Sequence, residues 1–286
     1  MASRAAPRLL RAAGAGILLA CTAFAVTSCA AVTGSSTIAS VSDGITLPPA
    51  NGQFDYQIGG AYAPQSSVRI VDRDRTSAPA AGKYNICYLN GFQTQNNESA
   101  FWTRQHPDLL VRGAHGTLLR DPSWPEYILD TSRIAKRSAL LGIVGPWIDG
   151  CATAGYKGLE IDNLDSYTRS SQKLTLQGNL IFATALVARA HNRGLAVGQK
   201  NTSELAAIGR RRIGFDFAVA EDSQRYRECR SYTDAYGKNV LEIEHTDYSR
   251  ASYAAACAAQ GRRISVILRD CDVVTPDKKA YRYESC

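Results

Sequence analysis

Short apolar runs alternate with helical patterns along most of this sequence. Nine runs are candidate strands: Phe54–Ile58, Val68–Asp72, Tyr84–Leu89, Glu126–Leu129, Gly158–Ile161, Leu195–Gln199, Phe215–Ala220, Val240–Glu244 and Ile264–Leu268. Apolar residues at helical spacing mark the candidate helices Ser132–Ala154, Thr175–Arg193, Ser203–Arg211, Tyr226–Tyr236 and Tyr248–Gln260. Strands that alternate with helices predict parallel βαβ units and an α/β fold, a single-domain (β/α)8 TIM-like barrel. Because that barrel has eight places, we expect one of the first two candidates to be an extra or edge strand.

The stretch Gly158–Asp165, GLEIDNLD, combines a strand pattern with a cluster of acids. Side chains on a strand alternate between its two faces, so Leu159 and Ile161 share one face and Glu160 and Asp162 the other. Three carboxylates within this stretch, with Asp165 as the third, repel one another unless a site uses or compensates them. Acids at the carboxyl end of a strand are typical of the catalytic face of a (β/α) barrel.

Polar side chains follow four further candidate strands. The tetrapeptide Asn90–Gln93 follows the third strand, Lys200–Thr202 follows the sixth, Glu221–Ser223 the seventh, and Glu244–Asp247 ends the eighth. Apolar residues within strands and polar ones at their carboxyl ends are the pattern that the rim of a barrel requires. The sequence therefore predicts one polar site built from several strand ends.

The first 28 residues have the features of an export signal. Three arginines precede an uncharged apolar run over residues 12–27. That run is shorter than the about 20 apolar residues that a membrane span needs. The segment ends in Val-Thr-Ser-Cys29, similar to the lipobox of bacterial lipoproteins, which predicts cleavage before Cys29 and lipid attachment to its sulfur. The alternative is an ordinary secretory signal that is cut near Ala30–Ala31.

Residues 29–50 form a stretch rich in Ser, Thr, Ala and Gly without periodicity, which predicts a flexible linker. Residues 51–286 then form the folded body, which is long enough for one barrel domain. Removal of the signal takes away three arginines and no acid, so the formal net charge falls from +7 to +4. No dense basic stripe is present, which argues against a nucleic-acid partner.

Six cysteines remain in the exported body: Cys87, Cys151, Cys229, Cys257, Cys271 and Cys286. An even number of cysteines in an oxidising compartment predicts three disulfides, with the connectivity left open. A zinc site is the alternative. No close pair of the Cys-x-x-Cys kind is present and the four histidines are scattered, so the disulfide interpretation is favoured.

Five strand-end motifs resemble a known family. ICYLNG, GLEIDNLD, GQKN, FAVAED and LEIEH, in this order, resemble the motifs ICYFSAG, GVEPDNVD, GLKND, FALNEQC and VFGVEY of glycoside hydrolase family 114, the endo-α-1,4-polygalactosaminidases. The resemblance covers roughly Phe54 to Asp270. It implies a (β/α) barrel, hydrolysis of α-1,4-linked galactosamine polymers, and catalytic carboxyls at Asp162 and Glu221.

The chain also departs from the family pattern. Ile161 replaces a common Pro, and Asn90 stands where Ser is usual. Around the glutamate, Ala220, Asp222 and Ser223 replace Asn, Gln and Cys. Because both presumed catalytic acids are present, these changes bear on substrate preference rather than on the type of reaction.

Glycosidic cleavage requires one carboxyl that donates a proton and a second that attacks the anomeric carbon or activates water. The resemblance suggests a retaining mechanism in which Asp162 is the nucleophile and Glu221 the acid/base. The alternatives are a helix cap for Asp162 and a surface acid for Glu221. We expect no metal and no other cofactor to take part.

Seven further residues are candidates for substrate contact or for support of the site. Glu160 lies one layer below Asp162, where burial would require a partner, and Lys200 is the nearest candidate. Asn201 either binds a sugar hydroxyl or caps the following helix, and Glu244 either binds the sugar or braces the rim. The remaining candidates are Asp165, Tyr88 for stacking on a sugar ring, and Asp72 at the end of the second strand. For His245 a structural role is favoured over catalysis.

The sequence thus predicts an exported, lipid-anchored and monomeric glycoside hydrolase that cuts an extracellular amino-sugar polysaccharide internally. It would contact the membrane only through its lipid. Two other classes of protein fit parts of the pattern. A non-catalytic surface lectin would keep the barrel without turnover. A metal-dependent hydrolase would use Asp162, Asp165 and Glu221 as oxygen ligands.

The lipobox makes a direct prediction. Cells fed a fatty-acid analogue should label the wild-type protein and leave Cys29→Ala unlabelled, because the thioether to the lipid needs that sulfur. Equal labelling of both proteins, or labelling of neither, would contradict the lipoprotein assignment.

Overall fold

The computed structural model describes residues 44–248 and 250–286. Nine strands of this part of the chain form one sheet, which is rolled into a barrel. Its strands are β1 (Phe54–Gln57), β2 (Ile70–Asp74), β3 (Tyr84–Asn90), β4 (Gly158–Asp162), β5 (Ala196–Lys200), β6 (Phe217–Glu221), β7 (Val240–His245), β8 (Ser265–Arg269) and β9 (Tyr283–Ser285). The strands from β1 to β8 pair in parallel in chain order, and β9 pairs antiparallel with β8. The predicted TIM-like barrel is confirmed.

Helices connect most of the later strands. They are α1 (Ser99–Gln105), α2 (Ile134–Ala154), α3 (Leu176–His191), α4 (Ala206–Ile208), α5 (Ser223–Tyr226), α6 (Cys229–Tyr236) and α7 (Arg250–Gln260), with shorter 3-10 turns and a π turn (Gly209–Ile213) between them. Local chemistry sets some of these limits. The hydroxyl of Thr175 accepts from Gly178 N at 3.1 Å and so caps α3 at its first turn. The predicted helices over Ser132–Ala154, Thr175–Arg193 and Tyr248–Gln260 are confirmed as α2, α3 and α7. The segment Ser203–Arg211 is instead a succession of short turns around α4, and Tyr226–Tyr236 is divided between α5 and α6.

Side chains close the barrel between β8 and β1. Ser265 Oγ donates to Gly52 O at 2.7 Å, and Arg269 Nη1 donates to Tyr56 O. Tyr283 on β9 donates its hydroxyl to Phe54 O at 2.9 Å. An edge strand carries backbone groups that need partners when buried. These side chains therefore replace backbone pairing at the seam.

The segment Glu126–Leu129 is not a barrel strand, contrary to the sequence prediction. It makes only isolated antiparallel bridges to Gln93, Leu110 and Arg120, which organise the long β3–α2 loop over residues 91–133. The first two candidates are both barrel strands, so the expected extra strand among them is also wrong. A short apolar run that covers a barrel has the same periodicity as a strand within it, and the sequence alone cannot separate the two.

Two apolar layers fill the protein, one inside the barrel and one between the strands and the helices. Leu159 and Ile161 face outward into the layer against α2 and α3, as their alternation with Glu160 and Asp162 predicts. The interior layer consists of Phe54, Tyr56, Ile70, Ile86, Ala196, Phe217, Val219, Leu241, Ile243, Ile267 and Val273. Gly198 is needed at its interior position, because a Cβ there would lie 2.6 Å from the ring of Phe217.

Two disulfides join cysteines of the described residues, rather than the three predicted. Cys87–Cys151 ties β3 to α2, and Cys257–Cys286 ties α7 to the chain end. The sulfur of Cys229 is instead buried below α5, at 3.2 Å from Ser223 Oγ and 3.4 Å from Glu242 Oε1.

The predicted signal over residues 1–28, the lipidation site at Cys29 and most of the linker lie outside the described residues, so they remain predictions. Within the described part of the chain, no helix has the length and apolar character needed to cross a membrane.

Candidate active site

Alternation along the strands places a set of polar side chains inside the upper half of the barrel. They share the inward face with the apolar interior layer and are all buried: Tyr56, Asp72, Tyr88, Glu160, Asp162, Lys200, Glu221 and His245. Buried charges are stable only when they are paired and hydrogen-bonded. The contacts among these groups therefore define the site.

Lys200 lies at the centre of the polar cluster. Its ammonium donates to Glu160 Oε1 and to the Tyr56 hydroxyl, each at 2.9 Å. The Tyr56 hydroxyl in turn donates to Glu160 Oε1 at 2.9 Å. Nζ also lies 3.8 Å from Asp162 Oδ2 and 3.5 Å from Glu221 Oε1. One cation thus serves three carboxylates, and the predicted pairing of Glu160 with Lys200 is present.

The charge of Lys200 is secured by its neighbours. Burial alone lowers the pKa of a lysine, but the charges of Asp162, Glu160 and Glu221 outweigh burial and raise the pKa of Lys200 above its ordinary value. The ammonium is therefore permanent at physiological pH.

Asp162 is held by donors on both oxygens. The Tyr88 hydroxyl donates to Oδ2 at 2.9 Å, and Asn163 N donates to Oδ1 at 2.7 Å. Such donors stabilise the carboxylate form. The ring of Tyr88 is 4% exposed, so Tyr88 orients Asp162 and offers little surface for the predicted stacking on a sugar.

Glu221 is held on one oxygen only. Asn201 Nδ2 donates to Oε2 at 3.0 Å, and Glu221 N donates to Asn201 Oδ1 at 2.9 Å, so the two residues clasp each other. Oε1 is buried without a hydrogen bond among the described residues. Burial raises the pKa of Glu221 above its ordinary value, although Lys200, His245 and the Asn201 amide act in the opposite direction. Glu221 is thus the carboxyl of the pair that is prepared to carry a proton.

The ammonium of Lys200 limits how far apart the two carboxyls can be. Asp162 Oδ2 and Glu221 Oε1 can be separated by no more than the sum of their distances to Nζ, which are 3.8 and 3.5 Å. In glycosidases the two carboxyls are about 5–9.5 Å apart, with retaining enzymes at the lower end and inverting enzymes at the upper end. The sum is smaller than the upper limit of this range. The geometry is therefore that of a carboxyl pair able to act on one glycosidic bond.

Three neighbouring strand ends turn in the same unusual way. Asn163, Asn201 and Asp222, which directly follow Asp162, Lys200 and Glu221, have φ values of 66°, 50° and 54°. Asn and Asp tolerate this left-handed region better than other residues, at a cost in strain of about 1–3 kcal/mol each. Each turn stops its strand at the site. The turns bring the Asn201 amide to Glu221 and the Asp222 carboxylate to His245, and the backbone N of Asn163 donates to Asp162 Oδ1.

Asp72 lies below the rim, contrary to the prediction that it ends the second strand there. Strand β2 continues to Asp74, so Asp72 is inside the barrel and fully buried. Its two oxygens and Glu160 Oε2 have no donor among the described residues. Burial and the neighbouring Glu160 carboxyl raise the pKa of Asp72 well above its ordinary value. This buried position below the rim does not fit contact with substrate.

Glu244 faces away from the barrel interior, which argues against the predicted substrate contact and favours the alternative that it braces the rim. It alternates with the inward-facing Ile243 and His245 and accepts from Gln224 N at 2.9 Å, as Glu242 does at 3.1 Å. Burial and the Glu242 carboxyl raise the pKa of Glu244 to about 8. Glu244 therefore anchors the first turn of α5 and does not line the site.

Asp165 is at the rim but is already paired. Arg169 Nη1 lies 2.6 Å from Asp165 Oδ2, and the same guanidinium reaches Asn163 Oδ1 at 3.0 Å and Asp121 Oδ2 at 2.5 Å. Arg169 thereby ties the β4–α3 turn to the β3–α2 loop, and Asp165 contributes to that tie.

Sequence reasoning missed Glu126, a further acid near Asp162. Glu126 is 6% exposed, and its Oε2 accepts from Asn90 Nδ2 at 3.0 Å. Burial and the charge of Asp162 raise the pKa of Glu126 to about 8. The acid was assigned to the start of a barrel strand, and only the antiparallel bridges of its loop bring it to the site. No local sequence signal marks this placement.

His245, for which the sequence favoured a structural role, also faces the interior beside Glu221. Nε2 lies 4.0 Å from Glu221 Oε1, and Nδ1 lies 3.2 Å from Asp222 Oδ2. Among the described residues, no group of three His, Cys, Asp or Glu side chains is arranged to hold a metal ion. The cation that the acids surround is the ammonium of Lys200.

Two solved structures share this architecture. Aspergillus fumigatus Ega3 in complex with galactosamine aligns with a TM-score of 0.68 and 20% identity over 85% of this chain and 98% of that chain. The glycoside hydrolase domain of PelA from Pseudomonas aeruginosa aligns with a TM-score of 0.57 and 15% identity over 78% and 96% of the two chains. At these identities the likeness shows the fold alone. Among curated proteins, no sequence matches this chain.

Family membership follows from the sequence profile of glycoside-hydrolase family GH114, which matches residues 35–286. The match spans the whole barrel and all five strand-end motifs, and it confirms the resemblance found in the sequence. The chain belongs to glycoside hydrolase family GH114 and is a glycosidase.

Proposed function

We propose that this protein cleaves internal α-1,4 linkages of a galactosamine-containing polysaccharide, with Asp162 and Glu221 as the catalytic carboxyls. The observation that carries the proposal is the convergence of both carboxyls on Lys200 Nζ, at 3.8 and 3.5 Å. Strands β4 and β6 hold the two acids from opposite sides of β5. A bond placed between them meets one carboxyl on each side, as both glycosidase mechanisms require.

The hydrogen bonds favour one division of roles. Glu221, with a raised pKa and a free buried oxygen, gives its proton to the leaving glycosidic oxygen. Asp162, held as a carboxylate by Tyr88 and Asn163, attacks the anomeric carbon and forms a glycosyl ester. Water then attacks that ester while Glu221 takes up the water proton, which restores both acids. The product keeps the configuration of the substrate.

The charge of the site supports an amino sugar as substrate. Lys200 brings one ammonium into contact with the three carboxylates of Glu160, Asp162 and Glu221. Glu126 adds a fourth carboxyl near Asp162, and its pKa of about 8 allows it to ionise when a cation binds beside it. An acidic cleft attracts a cationic ligand. The similar structure of Ega3 holds galactosamine, according to its description.

The same proposal places the enzyme outside the cell. The basic and apolar N-terminal residues and the motif Val-Thr-Ser-Cys29 support export and lipid attachment. The linker and lipid would hold the barrel at the outer face of the cell membrane. The enzyme would act there as a monomer on polysaccharide at the cell surface.

Asp162→Asn and Glu221→Gln test the catalytic pair, because each removes a charge at constant size. Each change should lower turnover of a galactosamine polymer by about 10²–10⁴-fold or more, the usual contribution of acid–base catalysis. Thermal unfolding and polymer binding should change little. Product sizing by chromatography gives the rate.

Glu244→Gln is the matched control, since it makes the same chemical change at a carboxyl outside the barrel interior. It should keep near-normal turnover. Near-normal turnover by either Asp162→Asn or Glu221→Gln would refute the assigned pair. The anomer that forms first, observed by NMR, separates the two mechanisms. A β anomer means that the α configuration was inverted, so that Asp162 activates water instead of attacking the anomeric carbon.

Glu126→Gln tests the recognition of the amine. The pKa of about 8 leaves Glu126 largely neutral at neutral pH, and a bound ammonium should draw off its proton and form an ion pair. A hydrogen bond between charged groups contributes about 1.5–3 kcal/mol. The variant should therefore bind galactosamine oligomers about 10-fold or more weakly in calorimetry.

N-acetylgalactosamine oligomers of equal length serve as the control ligand, because they carry no ammonium. Their affinity should be the same for the wild type and for Glu126→Gln. Equal weakening for both ligands would show that Glu126 shapes the cleft without reading the amine.

A further inference from the structure

Nε2 of His245 lies near Glu221, the proposed proton donor. Its side chain is 2% exposed and comes from the last residue of β7, on the inward face. Nε2 is buried without a hydrogen bond among the described residues, and so is Glu221 Oε1 at 4.0 Å from it. The ammonium of Lys200 lies 3.5 Å from the same oxygen but makes no hydrogen bond to it. Two buried polar atoms that lack hydrogen bonds and lie near each other are costly unless they interact when charged.

Asp222 fixes the imidazole from the other side. Its Oδ1 accepts from His245 N at 3.1 Å, and its Oδ2 lies 3.2 Å from Nδ1. A carboxylate at Nδ1 keeps a proton on that nitrogen and aims Nε2 at Glu221. Asp222 directly follows Glu221 and is one of the positions at which the chain departs from the family pattern. Its left-handed conformation, with φ 54°, turns the carboxylate back toward β7.

The charges around the imidazole come from three strands. Glu221 and Asp222 at the end of β6 are anionic neighbours, and Lys200 on β5 is cationic. Arg269 lies beside His245 on β8, but its guanidinium is directed to Tyr56 O and to the carboxylates of Asp55 and Asp270.

The anionic neighbours have the larger effect on the pKa of His245. Burial and Lys200 lower the pKa of His245, whereas the hydrogen bond to Asp222 and the charge of Glu221 raise it, with a net increase over the ordinary value. The imidazole is thus positioned to be a cation while Glu221 is an anion.

We propose that Asp222 and His245 form a positioning pair that sets the proton affinity of Glu221. Building on the proposed function, the pair acts after Glu221 has given its proton to the leaving oxygen. The imidazolium then faces the new carboxylate and stabilises it in a site that otherwise favours the neutral acid. His245 touches no substrate in this role and transfers no proton. It lowers the pKa of Glu221 and thereby adjusts its strength as an acid.

The pH profile of kcat/KM for polymer cleavage tests the pair. Activity needs protonated Glu221, so it falls as the pH rises through the pKa of that group. His245→Gln removes the cation, which raises the pKa of Glu221 and should move the alkaline limb to higher pH by about 1 unit, as expected for an opposite charge at this distance. Asp222→Asn should move the limb in the same direction. Glu244→Gln should leave it unchanged.

A purely structural role for His245 would lower kcat without moving the limb, and this result would overturn the proposal. So would complete loss of the limb, which would make His245 itself the acid. These outcomes differ from a failure of the proposed function, in which Glu221→Gln would retain turnover.

A second measurement avoids changes to the histidine. NMR titration of the His245 ring should give a pKa above the ordinary value of about 6.5 in the wild type. Because coupling between two sites is reciprocal, Glu221→Gln should lower the pKa of His245. An unchanged histidine pKa in that variant would refute the pair.

Discussion

A single buried ammonium supports this active site. Lys200 Nζ binds Glu160 at 2.9 Å and lies within 4 Å of both Asp162 and Glu221. Without a cation, three carboxylates inside a barrel would repel one another and lose their hydration. Burial of one charged pair is weak evidence for stability, because desolvation can exceed the attraction between the partners. Under the proposed function the arrangement serves catalysis, since the cation lets Asp162 and Glu221 approach one glycosidic bond.

The groups around the ammonium of Lys200 contact it at two distances. Tyr56 and Glu160 take its hydrogen bonds in the lower layer, where burial and the Glu160 carboxyl raise the pKa of Asp72. Asp162 and Glu221, the proposed catalytic carboxyls, lie farther from Nζ and are distinguished by their other contacts. Asp162 accepts hydrogen bonds on both oxygens, while Glu221 has one oxygen without a hydrogen bond among the described residues and a raised pKa. Environment therefore assigns two chemically similar groups to different roles.

Strand alternation made much of the site predictable from sequence. It places Glu160, Asp162, Lys200 and Glu221 on the inward face and predicts the Glu160–Lys200 pair. The same rule, applied strictly, excludes Glu244 from the interior, since it alternates with inward-facing neighbours. Other features depend on contacts distant in sequence. Glu126 reaches the site through antiparallel bridges of its loop, and Cys229 is held by polar neighbours instead of a disulfide. No periodic pattern in the local sequence marks either of these placements.

The role of the central ammonium is tested most directly by the stability of Lys200→Met, measured by urea unfolding as a function of pH. The variant keeps the length of the side chain and leaves Glu160, Asp162 and Glu221 without their cation. At neutral pH it should lose about 3–5 kcal/mol relative to the wild type, the cost of an unpaired buried charge. The pKa values of the acids in the folded variant should rise, so the deficit should shrink as the pH falls through them. Equal stability at neutral pH, or a deficit that does not change with pH, would contradict the account.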